Sequence, residues 1–300
     1  MFKKKIYIAG CGGMLGEAFY KIFSSKYKLK CTDIDVNEKW LSYLDFRKFK
    51  NYYNDVNNFK PNFLFHLGAY TDLEYCEKNK KKTYQTNVGS VKNAVKISNK
   101  LKIPLIFIST AGIFDGKKKS YNDWDIPKPL SCYGVSKYVS ELFVQNNCHK
   151  YLICRAGWMM GGGPKKDKKF IQKIMLQIKN GAKELFVIND KLGTPTYTHD
   201  FAKNLNLILQ KKCWGLYNMV CEGTTSRLNV AKELCKILNL KKKIKINQVN
   251  SNYWKKIYFA KRPYSERLIN KKLNMKKINI MRNWKVCLRE YINDYYKNYI

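Results

Sequence analysis

The glycine-rich segment IYIAGCGGMLGEAF constrains the fold of this chain more than any other feature. It sets glycines directly between an apolar run typical of a buried strand and a run with the apolar spacing of a helix. In dinucleotide-binding βαβ units, such glycines allow a tight turn, approach of a pyrophosphate to the backbone, and close packing of the helix on the sheet. The phosphates then face the N–H groups at the helix N-terminus. We therefore predict that Gly10, Gly13, Met14, Leu15 and Gly16 bind a dinucleotide cofactor.

Two carboxylates suited to the adenosine ribose follow about 20 residues later. Asp33 and Asp35 lie at the end of a second predicted strand, KLKCTDID, where a carboxylate can accept hydrogen bonds from the ribose hydroxyls. A carboxylate at this point favours NADH, whereas Lys30 and the positive charge around it favour the 2′-phosphate of NADPH. The sequence therefore predicts a nicotinamide cofactor and leaves NADH and NADPH both open.

The alternation of short apolar runs with amphipathic stretches predicts an α/β fold. We expect a doubly wound, Rossmann-type parallel sheet with a smaller C-terminal substrate-binding α/β part. Residues 1–157 are predicted to form the NAD(P)-binding domain, which also receives later segments near 190–225, and residues 158–300 to form mainly the substrate-binding part. The predicted strands are KIYIA, KLKCTDID, FLFHLGA, PLIFIST, YLICRA and LFVI, and the predicted helices are 14–23, 81–100, 170–180, 201–210, 229–238 and one at the C-terminus.

The chain is strongly basic, with 58 Lys and Arg residues against 22 Asp and Glu residues and a formal net charge of +36. The lysines are scattered over the whole length and accompany abundant Asn, Ile and Tyr, which indicates a compositional bias and a solvated surface instead of a specific nucleic-acid site. No CxxC occurs, and His66, His149 and His199 lack the spacing of zinc ligands. No segment has the length and apolar character of a membrane span or of a signal peptide. We therefore expect a cytoplasmic protein without a membrane partner.

The segment SCYGVSKYVSEL places a tyrosine and a lysine four residues apart. In a helix, Tyr133 and Lys137 share one face, and that face lies opposite an apolar stripe. Such a pair is either exposed to solvent or directed into a cleft, and the motifs on both sides favour the cleft. The apolar stripe comprises Val135, Tyr138, Val139, Leu142 and Phe143.

Eight further segments follow one another along nearly the whole chain. They are HLGAYTDLEYCEKN, TNVGSVKNAV, IFISTAGIFDG, PLSCYGVSKYVSEL, CRAGWMMGGG, INDKLGTPTYTHDFA, GLYNMVCEGTTSRLNVA and RPYSERLINKKL. With the G-x-x-G-x-x-G turn, this series resembles the dTDP-4-dehydrorhamnose reductase family of the extended short-chain dehydrogenase/reductase superfamily. The resemblance implies NAD(P)H-dependent reduction of the C4 keto group of a nucleotide-linked 6-deoxysugar. The family converts dTDP-4-dehydro-L-rhamnose to dTDP-L-rhamnose for cell-surface polysaccharide synthesis.

Reduction of a ketone explains the residue types in the middle of this series. Negative charge develops on the carbonyl oxygen as hydride reaches the carbon, and a positioned acid must deliver a proton to it. Tyr133 is expected to be that acid, with the ammonium of Lys137 lowering the pKa of the phenol from its usual value near 10. The resemblance implies that Lys137 also holds the nicotinamide ribose. Thr110, at the end of the fourth predicted strand, is expected to hydrogen-bond the same carbonyl oxygen.

Further contacts are expected on both sides of this centre. Gly68 and Ala69, small residues at the end of the third predicted strand, are expected to let the cofactor pass closely. The arginines of the last motif are expected to pair with the substrate diphosphate through bidentate hydrogen bonds. The predicted substrate-binding residues are Thr71, Asn87, Trp158, Arg262 and Arg267.

The chain leaves the family pattern next to Thr110. The family usually has Thr-Asp-Tyr where this sequence has Thr110, Ala111 and Gly112, so the exact sugar stays open. Two alternatives keep the same fold: another nucleotide-sugar epimerase or 4-ketoreductase, and a non-catalytic regulatory subunit. The high positive charge leaves polyanion binding as a third alternative. A homodimer is compatible with the resemblance. Glu141 and Glu222 are carboxylates that could serve Mg²⁺ at a dimer contact, although nothing in the sequence supports a metal site.

Overall fold

A parallel sheet lies at the centre of the molecule, which the computed structural model describes over residues 3–299. Met1, Phe2 and Ile300, at the outer ends of the two predicted domains, lie outside the described residues. The strands are β1 Lys5–Ala9, β2 Lys28–Asp33, β3 Leu41–Tyr43, β4 Phe63–His66, β5 Leu105–Thr110, β6 Tyr151–Ala156, β7 Trp158–Met160, β8 Glu184–Ile188, β9 Leu192–Gly193, β10 Pro195–Tyr197, β11 Gly215–Asn218, β12 Thr225–Ser226, β13 Lys245–Val249 and β14 Ser265–Glu266.

Helices cover both faces of this sheet. No helix among residues 3–299 has both the length and the apolar character needed to cross a bilayer. The helices are α1 Met14–Phe23, α2 Phe49–Phe59, α3 Leu73–Lys78, α4 Lys80–Tyr84, α5 Ser90–Leu101, α6 Cys132–Asn147, α7 Gly163–Lys166, α8 Phe170–Lys179, α9 Thr198–Gln210, α10 Arg227–Ile237, α11 Lys271–Met275 and α12 Trp284–Tyr296.

The strand order creates a crevice at the carboxyl ends of the strands. Within residues 3–299, seven strands pair in the order β11-β6-β5-β4-β1-β2-β3, and every neighbouring pair is parallel. The order reverses between β1 and β4, and open α/β sheets bind ligands at the carboxyl ends of the strands at such a point. The predicted doubly wound, Rossmann-type parallel sheet is confirmed.

The core forms two layers, because successive side chains of a strand point to opposite faces of the sheet. In β1, Ile6 and Ile8 pack on the face covered by α1 and α9, whereas Tyr7 and Ala9 pack on the face covered by α2 and α5. All four side chains are fully buried. Every residue of β4 is buried as well, as its continuous apolar run predicts.

The sequence pattern does not predict two elements that lie between β2 and β4. β3 pairs with β2 over only three residues and exposes Ser42 and Tyr43, so its sequence shows no alternation of apolar and polar residues. α2 has the sequence FKNYYNDVNNF, in which Asn and aromatic residues have weak helix propensity. It is held by burial of Tyr52 and Val56. Tertiary packing therefore decides both elements.

The helix predicted over 81–100 is longer than predicted and is interrupted. Helical segments run from Leu73 to Leu101, with a π-helical turn at Gln85–Gly89 between α4 and α5. Within this turn, the side chain of Asn87 is fully buried. Single π-helical turns occur frequently at functional sites, and this one packs against the loop that follows β4.

Beyond β6 the chain alternates between the main sheet and smaller sheets. β11 extends the main sheet next to β6. β7 pairs with β10, β8 pairs with β13, and β9 pairs with both β12 and β14. The segments near 190–225 are thus divided between the main sheet and two small ones, and the ranges 1–157 and 158–300 stay a prediction.

The helix α6, which carries Tyr133 and Lys137, buries the face opposite its apolar stripe. Lys137 and Glu141 are 5% and 1% exposed, whereas Leu142 of the stripe is 40% exposed. Arg155 of β6 donates hydrogen bonds to Glu141, from Nη2 to Oε2 at 2.8 Å and from Nε to Oε1 at 3.0 Å. This buried bidentate pair compensates the carboxylate charge and lets the polar face of α6 pack on the sheet.

Replacing Arg155 by Met is expected to lower the free energy of unfolding by about 3–5 kcal/mol, because Glu141 would keep a buried charge without its partner. The double variant Arg155→Met/Glu141→Leu removes both charges and is expected to lose less stability than the single variant. Urea unfolding followed by circular dichroism measures both. A single variant as stable as the unsubstituted chain would contradict this account of how α6 is held.

Candidate active site

The glycine turn between β1 and α1 has the geometry of a dinucleotide site. Gly10 has a φ of +79°, and a Cβ there would lie 2.2 Å from the backbone nitrogen of Gly68. A Cβ on Gly16 would lie 2.0 Å from the carbonyl oxygen of Cys11, so α1 packs directly on the turn. A Cβ on Gly13 would meet no atom within 4 Å. Packing therefore requires Gly10 and Gly16, whereas Gly13 opens onto free space.

The N-terminus of α1 faces this free space. Gly13 is the N-cap residue and supplies no side-chain hydrogen bond, so the first N–H groups of α1 remain available to an anion. Met14 is half-buried and Leu15 is buried in the core, so Leu15 can offer only its backbone N–H. These residues fit the pyrophosphate of a nicotinamide dinucleotide.

Asp33 is fixed at the edge of the crevice by the same turn. Its Oδ2 accepts a hydrogen bond from the backbone N–H of Gly12 at 2.8 Å, and its Oδ1 accepts one from the backbone N–H of Asp35 at 3.1 Å. An ionised carboxylate has lone pairs for further bonds, so Asp33 can still accept from ribose hydroxyls. Asp35 is exposed and accepts a hydrogen bond from Asn37.

The cation that lies against this turn is Lys166, which the sequence analysis missed. Lys30 pairs with Asp55 of α2. Lys166 of α7 is buried, and its Nζ donates a hydrogen bond to the carbonyl oxygen of Gly12 at 3.1 Å. Because the Asp33 carboxylate and the Lys166 ammonium both contact Gly12, the site carries a feature suited to NADH and one suited to NADPH.

Packing within the protein accounts for Gly68. A Cβ at this position would lie 2.2 Å from the ring of Phe46, and Gly68 also backs the tight turn at Gly10. Ala69 is half-buried beside it. Cofactor contacts by Gly68 and Ala69 stay a prediction.

Tyr133 at the start of α6 and Thr110 at the end of β5 form the centre of the site. Ser131 caps α6 by accepting a hydrogen bond from the N–H of Gly134 at 3.1 Å, which fixes the first turn. The phenol of Tyr133 lies close enough to the Thr110 side chain for Thr110 to lower its pKa. Oγ1 of Thr110 also accepts a hydrogen bond from the N–H of Gly112 at 3.1 Å and so keeps its own proton for donation. Two hydroxyl groups thus meet at the carboxyl edge of the sheet.

Burial shifts the pKa values of both candidate catalytic residues toward their neutral forms. It raises the pKa of Tyr133, the nearby Thr110 side chain opposes this, and the charge of Glu266 adds to it. Burial also lowers the pKa of Lys137 to about 7, and its Nζ lies 4.1 Å from the centroid of the Phe107 ring. In the chain by itself desolvation thus raises the Tyr133 pKa, and the lowering expected from Lys137 stays a prediction.

The side chain of Asn87 is engaged by neighbouring parts of the chain. Its Oδ1 accepts a hydrogen bond from the N–H of Tyr70 at 2.8 Å. Its Nδ2 donates to the carbonyl oxygen of Tyr70 and to Oγ of Ser136, both at 3.0 Å. The amide is fully buried and engaged at both ends, so Asn87 ties the loop after β4 to α6. Its substrate contact stays a prediction.

Thr71 is exposed at the rim of the crevice and contacts the opposite side. Its carbonyl oxygen and its Oγ1 accept hydrogen bonds from Nζ of Lys169 at 3.0 Å and 3.1 Å. Burial lowers the pKa of Lys169. This contact joins the loop after β4 to the residue that precedes α8, and substrate binding by Thr71 stays a prediction.

The two predicted diphosphate-binding arginines differ in their surroundings. Arg262 forms a bidentate ion pair with Glu74, with distances of 2.7 Å and 2.9 Å. Nε of Arg267 is buried and has no hydrogen-bond partner among residues 3–299. A guanidinium already held by a carboxylate has fewer donors left, so Arg267 fits the predicted role better than Arg262.

Trp158 lies between two charged residues that the sequence analysis did not single out. Its Nε1 donates a hydrogen bond to Oε2 of Glu266 at 2.7 Å. The guanidinium of Arg227 lies 3.7 Å from the centroid of the indole ring and 4.9 Å from that of Phe170. Burial lowers the pKa of Arg227 to about 10. Both residues stand inside recognised motifs, but one charged side chain in a lysine-rich sequence gives no signal by itself.

The carboxylates considered for Mg²⁺ lie in different surroundings. Glu141 is buried in its pair with Arg155 and is therefore unavailable to an ion at the surface. Glu222 is exposed, and its backbone bridges to Asn283. Over residues 3–299, the structure brings together no group of three or more side chains of the metal-ligating types.

The chain is similar to known proteins over nearly its whole length. The family model of the RmlD substrate binding domain matches residues 4–297. The dTDP-4-dehydrorhamnose reductase of Aggregatibacter actinomycetemcomitans is 29% identical over 229 residues, which cover 74% of this chain and 75% of that protein. The crystal structure of a dTDP-4-dehydrorhamnose reductase from Clostridium acetobutylicum has a TM-score of 0.87 at 28% identity, covering 96% of this chain and 98% of the other.

A second solved structure carries a cofactor. It is a dTDP-4-dehydrorhamnose reductase from Bacillus anthracis in complex with NADP, with a TM-score of 0.87 at 24% identity. The match covers 98% of this chain and 100% of the other. At this identity the likeness shows the shared fold.

Alanine at two of the glycines is expected to separate cofactor binding from folding. Gly13→Ala is expected to change the free energy of unfolding by less than about 1 kcal/mol, because the added Cβ meets open space. It is expected to weaken NADH and NADPH binding, because the methyl group occupies the path of the pyrophosphate. Gly16→Ala is expected to destabilise the fold by roughly 1–3 kcal/mol through its clash with Cys11. Urea unfolding and calorimetric titration measure the two effects, and unchanged cofactor binding by Gly13→Ala would contradict the assignment.

Lys137→Met is expected to stabilise the fold at pH 7 by roughly 1–3 kcal/mol, because it removes a buried charge. The folded pKa of Lys137 lies near 7 and the unfolded value near 10.4, so burial costs most below pH 7. The cost falls as pH rises from about 7 to about 10.4, and the advantage of Met should shrink over that interval.

Urea unfolding at pH 7 and at pH 10 measures this difference. The matched control is Lys96→Met, since Lys96 is exposed on α5 and should give no comparable pH-dependent gain. A Lys137→Met variant that is less stable than the unsubstituted chain at pH 7 would show that the ammonium is well compensated in the fold.

Proposed function

The chain belongs to the RmlD substrate binding domain family and is a nicotinamide-dependent oxidoreductase similar to dTDP-4-dehydrorhamnose reductases, and on this basis we propose which ketone it reduces. The proposed reaction is NADH- or NADPH-dependent reduction of the C4 keto group of a dTDP-linked 6-deoxysugar. The proposed substrate is dTDP-4-dehydro-L-rhamnose and the product is dTDP-L-rhamnose, a precursor of cell-surface polysaccharide. A cytoplasmic location and a homodimer stay predictions.

The proximity of the Tyr133 and Thr110 side chains is the observation that carries this proposal. It places two hydroxyl groups at the carboxyl edge of the sheet, where the glycine turn after β1 also lies. A ketone positioned between these hydroxyls would have its oxygen hydrogen-bonded and its carbon close to the cofactor crevice. A carbonyl reduction needs this combination of donors, and a site that only binds a nucleotide does not.

The side chains can perform the protein's part of such a reduction. A bound NADH or NADPH would supply the hydride. The raised pKa keeps Tyr133 protonated at neutral pH, so its O–H can deliver a proton to the carbonyl oxygen as negative charge develops there. Thr110 can donate a second hydrogen bond to the same oxygen. Lys137 can donate to the ribose hydroxyls of the cofactor in either protonation state.

Cations on the other side of the crevice support a substrate that carries a diphosphate. Arg267 has a buried Nε without a partner in the part of the chain that the structure describes, and Arg227 is stacked on Trp158. Burial lowers the pKa values of Lys169 and Arg227, and the positive charge of Arg227 lowers that of Lys169 further. A diphosphate would compensate these desolvated cations.

A reductase of a different 4-keto sugar is the second candidate. Ala111 and Gly112 stand where the resembled family usually has an aspartate and a tyrosine. The space around the sugar therefore differs, although the Tyr133, Thr110 and Lys137 side chains of the reaction centre remain. Their arrangement argues against a non-catalytic regulatory subunit, which would need no acid beside a cofactor.

The proposal is tested by incubating the protein with NADH or NADPH and a panel of nucleotide-linked 4-keto-6-deoxysugars. We expect stoichiometric oxidation of the cofactor with dTDP-4-dehydro-L-rhamnose and formation of dTDP-L-rhamnose, followed by absorbance and by NMR of the product. Conversion of a sugar without net cofactor oxidation would instead identify an epimerase. No oxidation with any sugar of the panel would contradict a reductase function.

The matched control is Tyr133→Phe, which removes one hydroxyl group. Turnover is expected to fall by about 10²–10⁴-fold, because no acid would then deliver the proton. Binding of NADH or NADPH, measured by calorimetry, is expected to stay the same because the glycine turn is unchanged. Normal turnover in this variant would contradict the assignment of Tyr133 as the acid.

A further inference from the structure

Gly112 leaves a space beside the reaction centre, and a carboxylate from a distant part of the chain borders it. A Cβ on Gly112 would lie 3.5 Å from Oε1 of Glu266 and 3.5 Å from Oγ1 of Thr110. The segment after Thr110 carries no carboxylate at Ala111, where the family usually has one. Glu266 of β14 therefore brings a carboxylate to this side of the crevice from another element.

Glu266 is held in one orientation with one oxygen directed at this space. Its Oε2 accepts the hydrogen bond from Trp158, and its backbone lies in β14, which pairs with β9. Among residues 3–299, no donor reaches Oε1. A carboxylate oxygen accepts hydrogen bonds readily, so Oε1 of this half-buried residue can accept from a ligand that replaces water there. A ligand that offers a donor at this point would therefore bind more tightly.

The charges around Glu266 favour a neutral donor. The guanidinium of Arg227, stacked on the indole of Trp158, is close enough for Glu266 to raise its pKa, so a cation already balances the carboxylate. The same carboxylate contributes to the raised pKa of Tyr133, which places it close to the reacting oxygen. A hydroxyl group of the sugar satisfies Oε1 without adding a second positive charge.

We propose that Oε1 of Glu266 accepts a hydrogen bond from the C3 hydroxyl of the 4-keto sugar and so helps to determine which sugar is reduced. This inference rests on the proposed function, since it places the C4 ketone oxygen at Tyr133 and Thr110. Oε1 of Glu266 and Oγ1 of Thr110 each lie 3.5 Å from the same point, which is close enough for one sugar ring to contact both through neighbouring substituents. Of the carbons next to C4, C3 carries a hydroxyl, whereas C5 of a 6-deoxysugar carries a methyl group that cannot donate.

The test compares Glu266→Gln with the unsubstituted enzyme on sugars that possess or lack the C3 hydroxyl. The glutamine oxygen can still accept from Trp158, whereas its amide nitrogen presents donors where Oε1 accepted. For dTDP-4-dehydro-L-rhamnose, kcat/KM is expected to fall by about 10–100-fold. For the 3-deoxy analogue it is expected to change by less than about threefold, and the 2-deoxy analogue should behave as the parent sugar does.

A control variant and two contrary results make this test decisive. Glu184→Gln, at an exposed position on β8, should leave kcat/KM unchanged for every sugar. Equal falls for the parent and the 3-deoxy sugar would overturn the inference, because the variant would then act through Tyr133 or Trp158. An unchanged kcat/KM for the parent sugar would overturn it as well.

A binding measurement separates this inference from the proposed function. Calorimetric titration with dTDP-L-rhamnose and its 3-deoxy analogue needs no turnover. The unsubstituted protein should prefer dTDP-L-rhamnose by about 10–100-fold, and Glu266→Gln should lose that preference. If this preference appears but no 4-keto sugar is reduced, recognition by Glu266 stands and the proposed function fails. If sugars are reduced but the preference is the same in both proteins, the proposed function stands and the inference fails.

Discussion

The buried ion pair between Glu141 and Arg155 is the interaction on which the site depends. It joins α6 to β6 and compensates a carboxylate that is 1% exposed. Without that compensation, the polar face of α6 would favour water, and burial of the apolar stripe would turn Tyr133 and Lys137 away from the crevice. Asn87 also holds this helix, because its Nδ2 donates a hydrogen bond to Oγ of Ser136. The position of the acid is therefore a consequence of polar packing behind it.

The desolvation that prepares these groups for chemistry also costs stability. Lys137 has a pKa of about 7 because its ammonium is buried against an aromatic ring. The negative charge of Glu141 opposes this lowering only in part. The same burial keeps Tyr133 protonated, which suits an acid but opposes formation of the phenolate. Bound cofactor and substrate would add polar partners where the chain alone supplies few. Buried ionisable groups with shifted pKa values are typical of active sites.

The cofactor side could be predicted in detail because its determinants are local. Gly10, Gly13 and Gly16 act through the conformation and immediate neighbours of one turn, and their spacing is visible in the sequence. The helix α2 could not be predicted, because weakly helical residues fold there only through burial of Tyr52 and Val56. The burial of Asn87 could not be predicted for a related reason, since the π-helical turn that buries it depends on neighbouring elements.

The sequence by itself determined the parallel α/β class, the glycine turn and the Tyr133–Lys137 pair, because strand and helix periods and tight turns are properties of short segments. Only the tertiary structure decided which face of α6 is buried, that Lys166 lies against the cofactor turn, and that Glu266 borders the space at Gly112. These features join segments far apart along the chain. Their energies come from desolvation and from hydrogen bonds between those segments, and no local pattern of residues encodes either.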